Sequence, residues 1–124
     1  SHEAIDRKKH FLYMNGREIY KYAVREMVQS CHEVLKRCGK TIEDVRLIIP
    51  HQANNRILEA VAQRLGVSMD RLFINIEKYA NTSAATVPIA LHEALQQGRL
   101  HEGDLALLVS FGGGLTWGAS LVQF

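Results

Sequence analysis

Two cysteines among 124 residues are too few to staple a small secreted fold, so a disulfide scaffold is excluded. Cys31 and Cys38 show neither CxxC nor zinc-ligand spacing, and no metal site is expected. Reduced thiols in a cytoplasmic protein fit them best. Long apolar runs are also missing. Nothing approaches the roughly 20 uninterrupted apolar residues that a bilayer requires, so no membrane partner is expected. The opening stretch from Ser1 to His10 is polar and charged, which argues against a secretory signal, and Ser1-His2 reads as a remnant of an expression tag. Neither sign of charge dominates, the formal net charge being +2. Residues 1–56 carry eleven Lys and Arg against seven Asp and Glu, and residues 57–124 carry four against six. The bases of the first half are interleaved with acids and no aromatic-basic stripe accompanies them, so a nucleic-acid partner is not expected. A solvated helix of mixed charge is the plain reading of that half, and a modest basic face toward an anionic partner is the sharper one. No internal repeat or low-complexity tract occurs.

Against these absences stand 47% hydrophobic residues, which exclude disorder, and a length that suits one domain with a buried core. Residues 4–13 run into the apolar stretch Phe11-Leu12-Tyr13-Met14, which suits a strand end broken by Asn15-Gly16. From Arg17 to about Arg37, apolar residues recur in steps of three and four at Ile19, Ala23, Met27, Cys31, Val34/Leu35 and Cys38. That spacing predicts a long amphipathic helix, closed by Gly39. Val45 to Pro50 reads as a buried strand, Asn54 to Leu65 as a second amphipathic helix, and residues 72–76 as another strand. The capping types Asn81-Thr82-Ser83 precede an apolar helix over 84–95, expected to run through the middle of the layers, with Pro88 near its start. Asp104 to Phe111 and Leu115 to Phe124 read as strands joined by Gly112-Gly113-Gly114. The order β, α, β, α, β, α, β, β predicts an α/β layered domain with a mixed sheet, a buried central helix and a C-terminal β-hairpin.

Three segments fall where strand meets loop or helix. His51 directly follows a buried strand, the place where open α/β sheets bind ligands, although a polar strand end with Gln52, Asn54 and Asn55 capping the next helix explains it equally well. Asn81 suits a helix cap, or an amide that donates into a pocket. The triple glycine suits a tight turn, or a backbone N–H that approaches a reacting atom. Trp117 reads as a core residue and both cysteines as packing residues.

Each signal is ambiguous alone, but their order is specific. His-Gln-Ala-Asn-x-Arg at 51–56, Asn-Thr-Ser-Ala-Ala at 81–85 and Phe-Gly-Gly-Gly-x-Thr-Trp-Gly at 111–118 closely resemble the carboxyl-terminal half of 3-oxoacyl-[acyl-carrier-protein] synthase III, the ketoacyl synthase III of type II fatty-acid synthesis. The resemblance reaches upstream to Met14-Asn15-Gly16 and so covers nearly the whole chain. It implies half of a thiolase-like fold. It also implies an acyltransferase that performs a decarboxylative Claisen condensation of acyl-coenzyme A with malonyl-acyl carrier protein. No resident cofactor is implied, since the coenzyme A thioester and the carrier's phosphopantetheine are substrates.

By that resemblance His51 and Asn81 hydrogen-bond the enolate oxygen, and the backbone N–H of Gly113 is the oxyanion donor of the acyl-cysteine step. Phe111 lines the pocket, Arg56 docks the acidic carrier protein, and Asn15 and Gly16 line the substrate tunnel. The family's nucleophilic cysteine belongs to an amino-terminal half with no counterpart in residues 1–124, and neither Cys31 nor Cys38 matches it. The chain is therefore expected to be a C-terminal domain that is inactive alone. Its apolar 84–95 helix would be covered partly by the other half and prone to self-association without it, and the parent enzyme is expected to be a homodimer. Two alternatives are a non-catalytic module that binds a carrier protein, and half of another thiolase-like condensing enzyme.

Overall fold

The computed structural model describes residues 2–9, 11 and 14–124. Its elements in chain order are α1 (His2–Asp6), α2 (Gly16–Arg37), β1 (Leu47–Pro50), α3 (Asn55–Leu65), α4 (Ile76–Tyr79), α5 (Thr86–Gln96), β2 (Leu105–Gly112) and β3 (Thr116–Gln123). The three strands lie in the order β1-β2-β3. β1 is parallel to β2 with Pro50 opposite Val109, and β2 is antiparallel to β3 with Phe111 opposite Trp117. The mixed sheet and the hairpin are those expected.

Strand alternation sorts the core into two layers, because successive side chains leave a strand on opposite faces. Ile48, Leu107, Val109 and Phe111 pack with Ala23, Met27, Cys31 and Leu35 of α2 and with Leu58, Val61 and Leu65 of α3. Leu47, Ile49 and Ala106 pack on the other face with Ala90 and Ala94 of α5, Phe73 and Leu100. Burying each large aliphatic side chain contributes about 1.5–3 kcal/mol, and β1 is buried along its whole length. The periodicity of α2 and α3 therefore forecast their buried faces correctly.

Four expectations need correction. His2–Asp6 is a short helix rather than part of a strand; Leu12 and Tyr13, which carried that expectation, lie outside the described residues. Residues 72–76 do not form a strand. Leu72 makes one isolated parallel bridge to Ile48, after which Asn75 is drawn inward by Gln52 and α4 begins at Ile76. Trp117 is not a core residue: it is 49% exposed on the outer strand β3 and stacks on Phe111 with ring centroids 6.3 Å apart. Cys38 is not a packing residue either, since it is exposed at the C-terminal end of α2. Cys31 alone packs in the core.

The helix predicted over 84–95 begins at Thr86, because residues 83–85 form a separate 3-10 turn. It is covered on one side only. Ala90 and Ala94 are fully buried, whereas Ala84 and Ala85 of the preceding turn, Pro88 and Leu95 are exposed. An apolar sequence all round therefore marks a helix whose second side this chain does not cover. Among the described residues, no helix is long and apolar enough to cross a membrane.

Candidate active site

The carboxyl ends of the two parallel strands meet at one edge of the sheet. There His51 leaves β1 with its backbone N–H donated to the Val109 carbonyl at 2.8 Å. The odd positions of β1 face α5, and His51 continues that alternation: its Nδ1 lies 2.5 Å from the Thr86 hydroxyl at the start of α5. Thr86 is 2% exposed. Its hydroxyl also lies 3.0 Å from the Ser83 carbonyl oxygen, to which it can donate. The Ser83 N–H in turn donates to Asn81 Oδ1 at 3.0 Å. One chain of contacts therefore links His51 to Asn81 across 30 residues of sequence. Burial holds the His51 imidazole below its ordinary pKa, so the ring is neutral at neutral pH. The Asn81 bond occupies the amide oxygen and leaves both amide N–H donors available.

The loop that carries Asn81 is strained. Ala80 and Ser83, neither of them glycine, have φ of +56° and +54°. Such residues cost on the order of 1–3 kcal/mol each and persist only where surrounding structure enforces them. The enforcement is visible in the segment that enters the loop. Glu93 of α5 accepts from Asn75 Nδ2 at 2.8 Å, from the Tyr79 hydroxyl at 2.9 Å and from the Lys78 ammonium. Gln52, 1% exposed, adds a second tie: its amide nitrogen donates to the Pro50 and Phe73 carbonyls at 2.9 and 3.0 Å, and its oxygen accepts from Asn75 N–H.

Neither Gln52 nor Glu93 was singled out from sequence as a site residue, and Gln52 is not a helix cap. Asn54 alone caps α3, its side chain accepting from Arg56 N–H at 2.9 Å. The available signal was a second polar residue two places beyond a fully apolar strand, and an acid within an apolar helix.

Hydrogen bonds to Glu93, first from Lys78, then from Asn75 and Tyr79, hold its carboxyl down to about 2. A carboxylate depressed in the folded state contributes stability above its unfolded value of about 4.3, and that contribution is lost as pH falls toward about 2. The urea midpoint of the full-length protein should therefore fall between pH 5 and pH 2. Glu93→Gln should flatten that part of the profile, and an unchanged slope would contradict the assignment.

The other predicted residues are placed as follows. Gly113 is exposed in the turn after β2, at the same edge as His51, and its carbonyl accepts from the Thr116 hydroxyl, so its N–H is not used by that bond. Gly114 has φ of +145°, and a Cβ there would lie 2.8 Å from Thr116 Cγ2, which explains glycine at that point of the turn. Phe111 is 8% exposed and faces the α2 layer. Arg56 is exposed in the first turn of α3, with no ion-pair partner among the described residues. Asn15 caps α2 by accepting from Glu18 N–H at 3.4 Å, and Gly16 opens that helix with open space around its Cα. Cys31, with its thiol pushed up to about 12 by burial, cannot supply a thiolate at neutral pH.

The family model for the 3-oxoacyl-[acyl-carrier-protein] synthase III C-terminal region matches residues 35–124. The chain belongs to that family. It is 53% identical over 122 residues to a beta-ketoacyl-[acyl-carrier-protein] synthase III of Roseiflexus castenholzii, covering 98% of this chain and 37% of the relative. The crystal structure of 3-oxoacyl-[acyl-carrier-protein] synthase III from Aquifex aeolicus superposes with a TM-score of 0.90 at 52% identity, over 92% of this chain and 37% of that one. The Thermus thermophilus synthase gives 0.88 at 51% identity, over 90% and 35%. The fold is therefore the α/β, thiolase-like architecture of the synthase III C-terminal region. The chain spans little more than a third of the length of these relatives.

Proposed function

We propose that this chain is the C-terminal domain, residues 1–124, of a fatty-acid condensing enzyme that joins acyl-coenzyme A to malonyl-acyl carrier protein with loss of carbon dioxide. The observation that carries the reading is the run of contacts from His51 Nδ1 to the Thr86 hydroxyl, from Thr86 N–H to the Ser83 carbonyl and from Ser83 N–H to Asn81 Oδ1 at the strand-end edge. Loss of carbon dioxide leaves an enolate on the thioester oxygen, and that oxygen needs donors. A neutral imidazole and an amide can stabilise it without proton exchange. Gly113 N–H would hold the oxyanion of the acyl-transfer step, and Phe111 would border the pocket. Asn15 and Gly16 would lie along the tunnel for the pantetheine arm. No resident cofactor is required.

Arg56 supports docking of an acidic carrier protein, because its guanidinium is exposed and unpaired among the described residues. An open groove of about 430 Å³ along α2 and α3 is bordered by Arg25, Lys36 and Arg64 with Glu33 as its one acid, a second surface of net positive charge. The nucleophilic cysteine is assigned to an amino-terminal half, and the exposed side of α5 to contact with it. The working enzyme would be a homodimer.

The test compares two proteins. Full-length enzyme should release carbon dioxide from malonyl-carrier protein and form the condensed product. The 124-residue chain should do neither, and labelled acyl-coenzyme A should leave Cys31 and Cys38 unlabelled. Acyl transfer to either cysteine, or a full-length enzyme without condensing activity, would overturn the reading.

A further inference from the structure

The Thr86 hydroxyl carries one hydrogen and has two acceptors in reach, the Ser83 carbonyl oxygen at 3.0 Å and His51 Nδ1 at 2.5 Å. Where that hydrogen goes decides which nitrogen of the neutral imidazole keeps its proton. If the hydrogen points to Ser83, Nδ1 must carry the ring proton and donate to the hydroxyl oxygen. Nε2 is then a bare lone pair that repels a developing oxyanion. If the hydrogen points to Nδ1, the ring proton sits on Nε2, which becomes a donor.

One feature of the fold favours the second arrangement: the Ser83 carbonyl already accepts the Thr86 backbone N–H, so turning the hydroxyl away leaves no carbonyl without a partner. Among the described residues Nε2 has no partner, so a proton placed there is free for substrate.

We propose that Thr86 is a positioning residue that sets the tautomer of His51: its hydroxyl donates to Nδ1 and so keeps the proton on Nε2. This rests on the condensing role proposed for His51, because only that role needs a donor at Nε2. Thr86 itself touches no reacting atom. It acts through the imidazole, while its backbone N–H, bonded to the Ser83 carbonyl, fixes it to the strained loop that carries Asn81.

The experiment uses full-length enzyme labelled with ¹⁵N at histidine, with Thr86→Ser and Thr86→Val beside the parent. Valine keeps the branched shape and removes the hydroxyl; serine keeps the hydroxyl. In the parent and in Thr86→Ser, the His51 ¹⁵N shifts should place the lone pair on Nδ1 and the proton on Nε2. Thr86→Val should lose that preference. Its kcat for decarboxylation of malonyl-carrier protein should fall about tenfold, the effect of one lost hydrogen bond, with little change in KM, and Thr86→Ser should restore it. A proton on Nδ1 in the parent would overturn the proposal, as would equal activity loss in the serine and valine variants or no loss in either. The shifts are read without substrate. An enzyme that shows the expected tautomer but no condensation would therefore refute the proposed function and leave the tautomer assignment standing.

Discussion

Full-length enzyme carrying His51→Ala is expected to lose about 100–1,000-fold in the rate of malonyl-carrier protein decarboxylation, the usual effect of removing one preorganised donor from a developing oxyanion. Asn81→Ala should cost a comparable factor. The two donors are linked through Thr86 and Ser83 and would serve one oxygen, so the double variant should fall well short of the product of the two losses. The direction of the effect separates their role from that of the nucleophile. Both variants should still accept an acyl group from acyl-coenzyme A, because the cysteine that receives it is assigned to the other half of the enzyme. A His51→Ala enzyme with an unchanged decarboxylation rate would remove His51 from the mechanism.

Gln52→Leu is expected to destabilise the protein by about 3 kcal/mol or more. The variant has nearly the same volume, so packing is not the cause. Gln52 supplies the partners of three main-chain groups, the Pro50 and Phe73 carbonyls and the Asn75 N–H. Leaving a buried polar group unpaired costs about 1–3 kcal/mol. Asn75 also donates to Glu93, so loss of the first tie weakens the second, and the Asn81 loop that both support should loosen. Thermal or urea unfolding of full-length enzyme measures the loss. Protease sensitivity gained near residues 75–85 would place the damage in that loop. A variant as stable as the parent would show that water replaces all three bonds.

The motif order alone located His51, Asn81 and Gly113 near element ends, because chemistry of this kind needs donors where a strand or helix stops and backbone or side-chain polar groups come free. Their mutual arrangement was not legible. Nothing in Asn-Thr-Ser-Ala-Ala says that residue 86, one place beyond the motif, reaches back 35 positions to the imidazole. Nor does a capping signature distinguish an Asn that caps a helix from one that closes a turn before it; the positive φ of Ala80 and Ser83 decided for the turn. Gln52 was misread for the same reason, since its three partners come from two separate segments.

What the sequence determined by itself was periodicity and composition. The i, i+3, i+4 pattern of α2 and α3, the β-branched run of β1 and the glycine-linked hairpin are local consequences of side-chain geometry, and they formed as read. Of the two cysteines, Cys31 packs in the core, where burial keeps its thiol protonated, and Cys38 lies exposed at a helix end. Tertiary structure decided the rest. It reduced residues 72–76 to a single bridge, left one side of α5 uncovered, and exposed Trp117 on the outer strand. Each of these depends on which neighbour a segment meets, and the free energy of burial and of buried hydrogen bonds is a property of that meeting rather than of the segment.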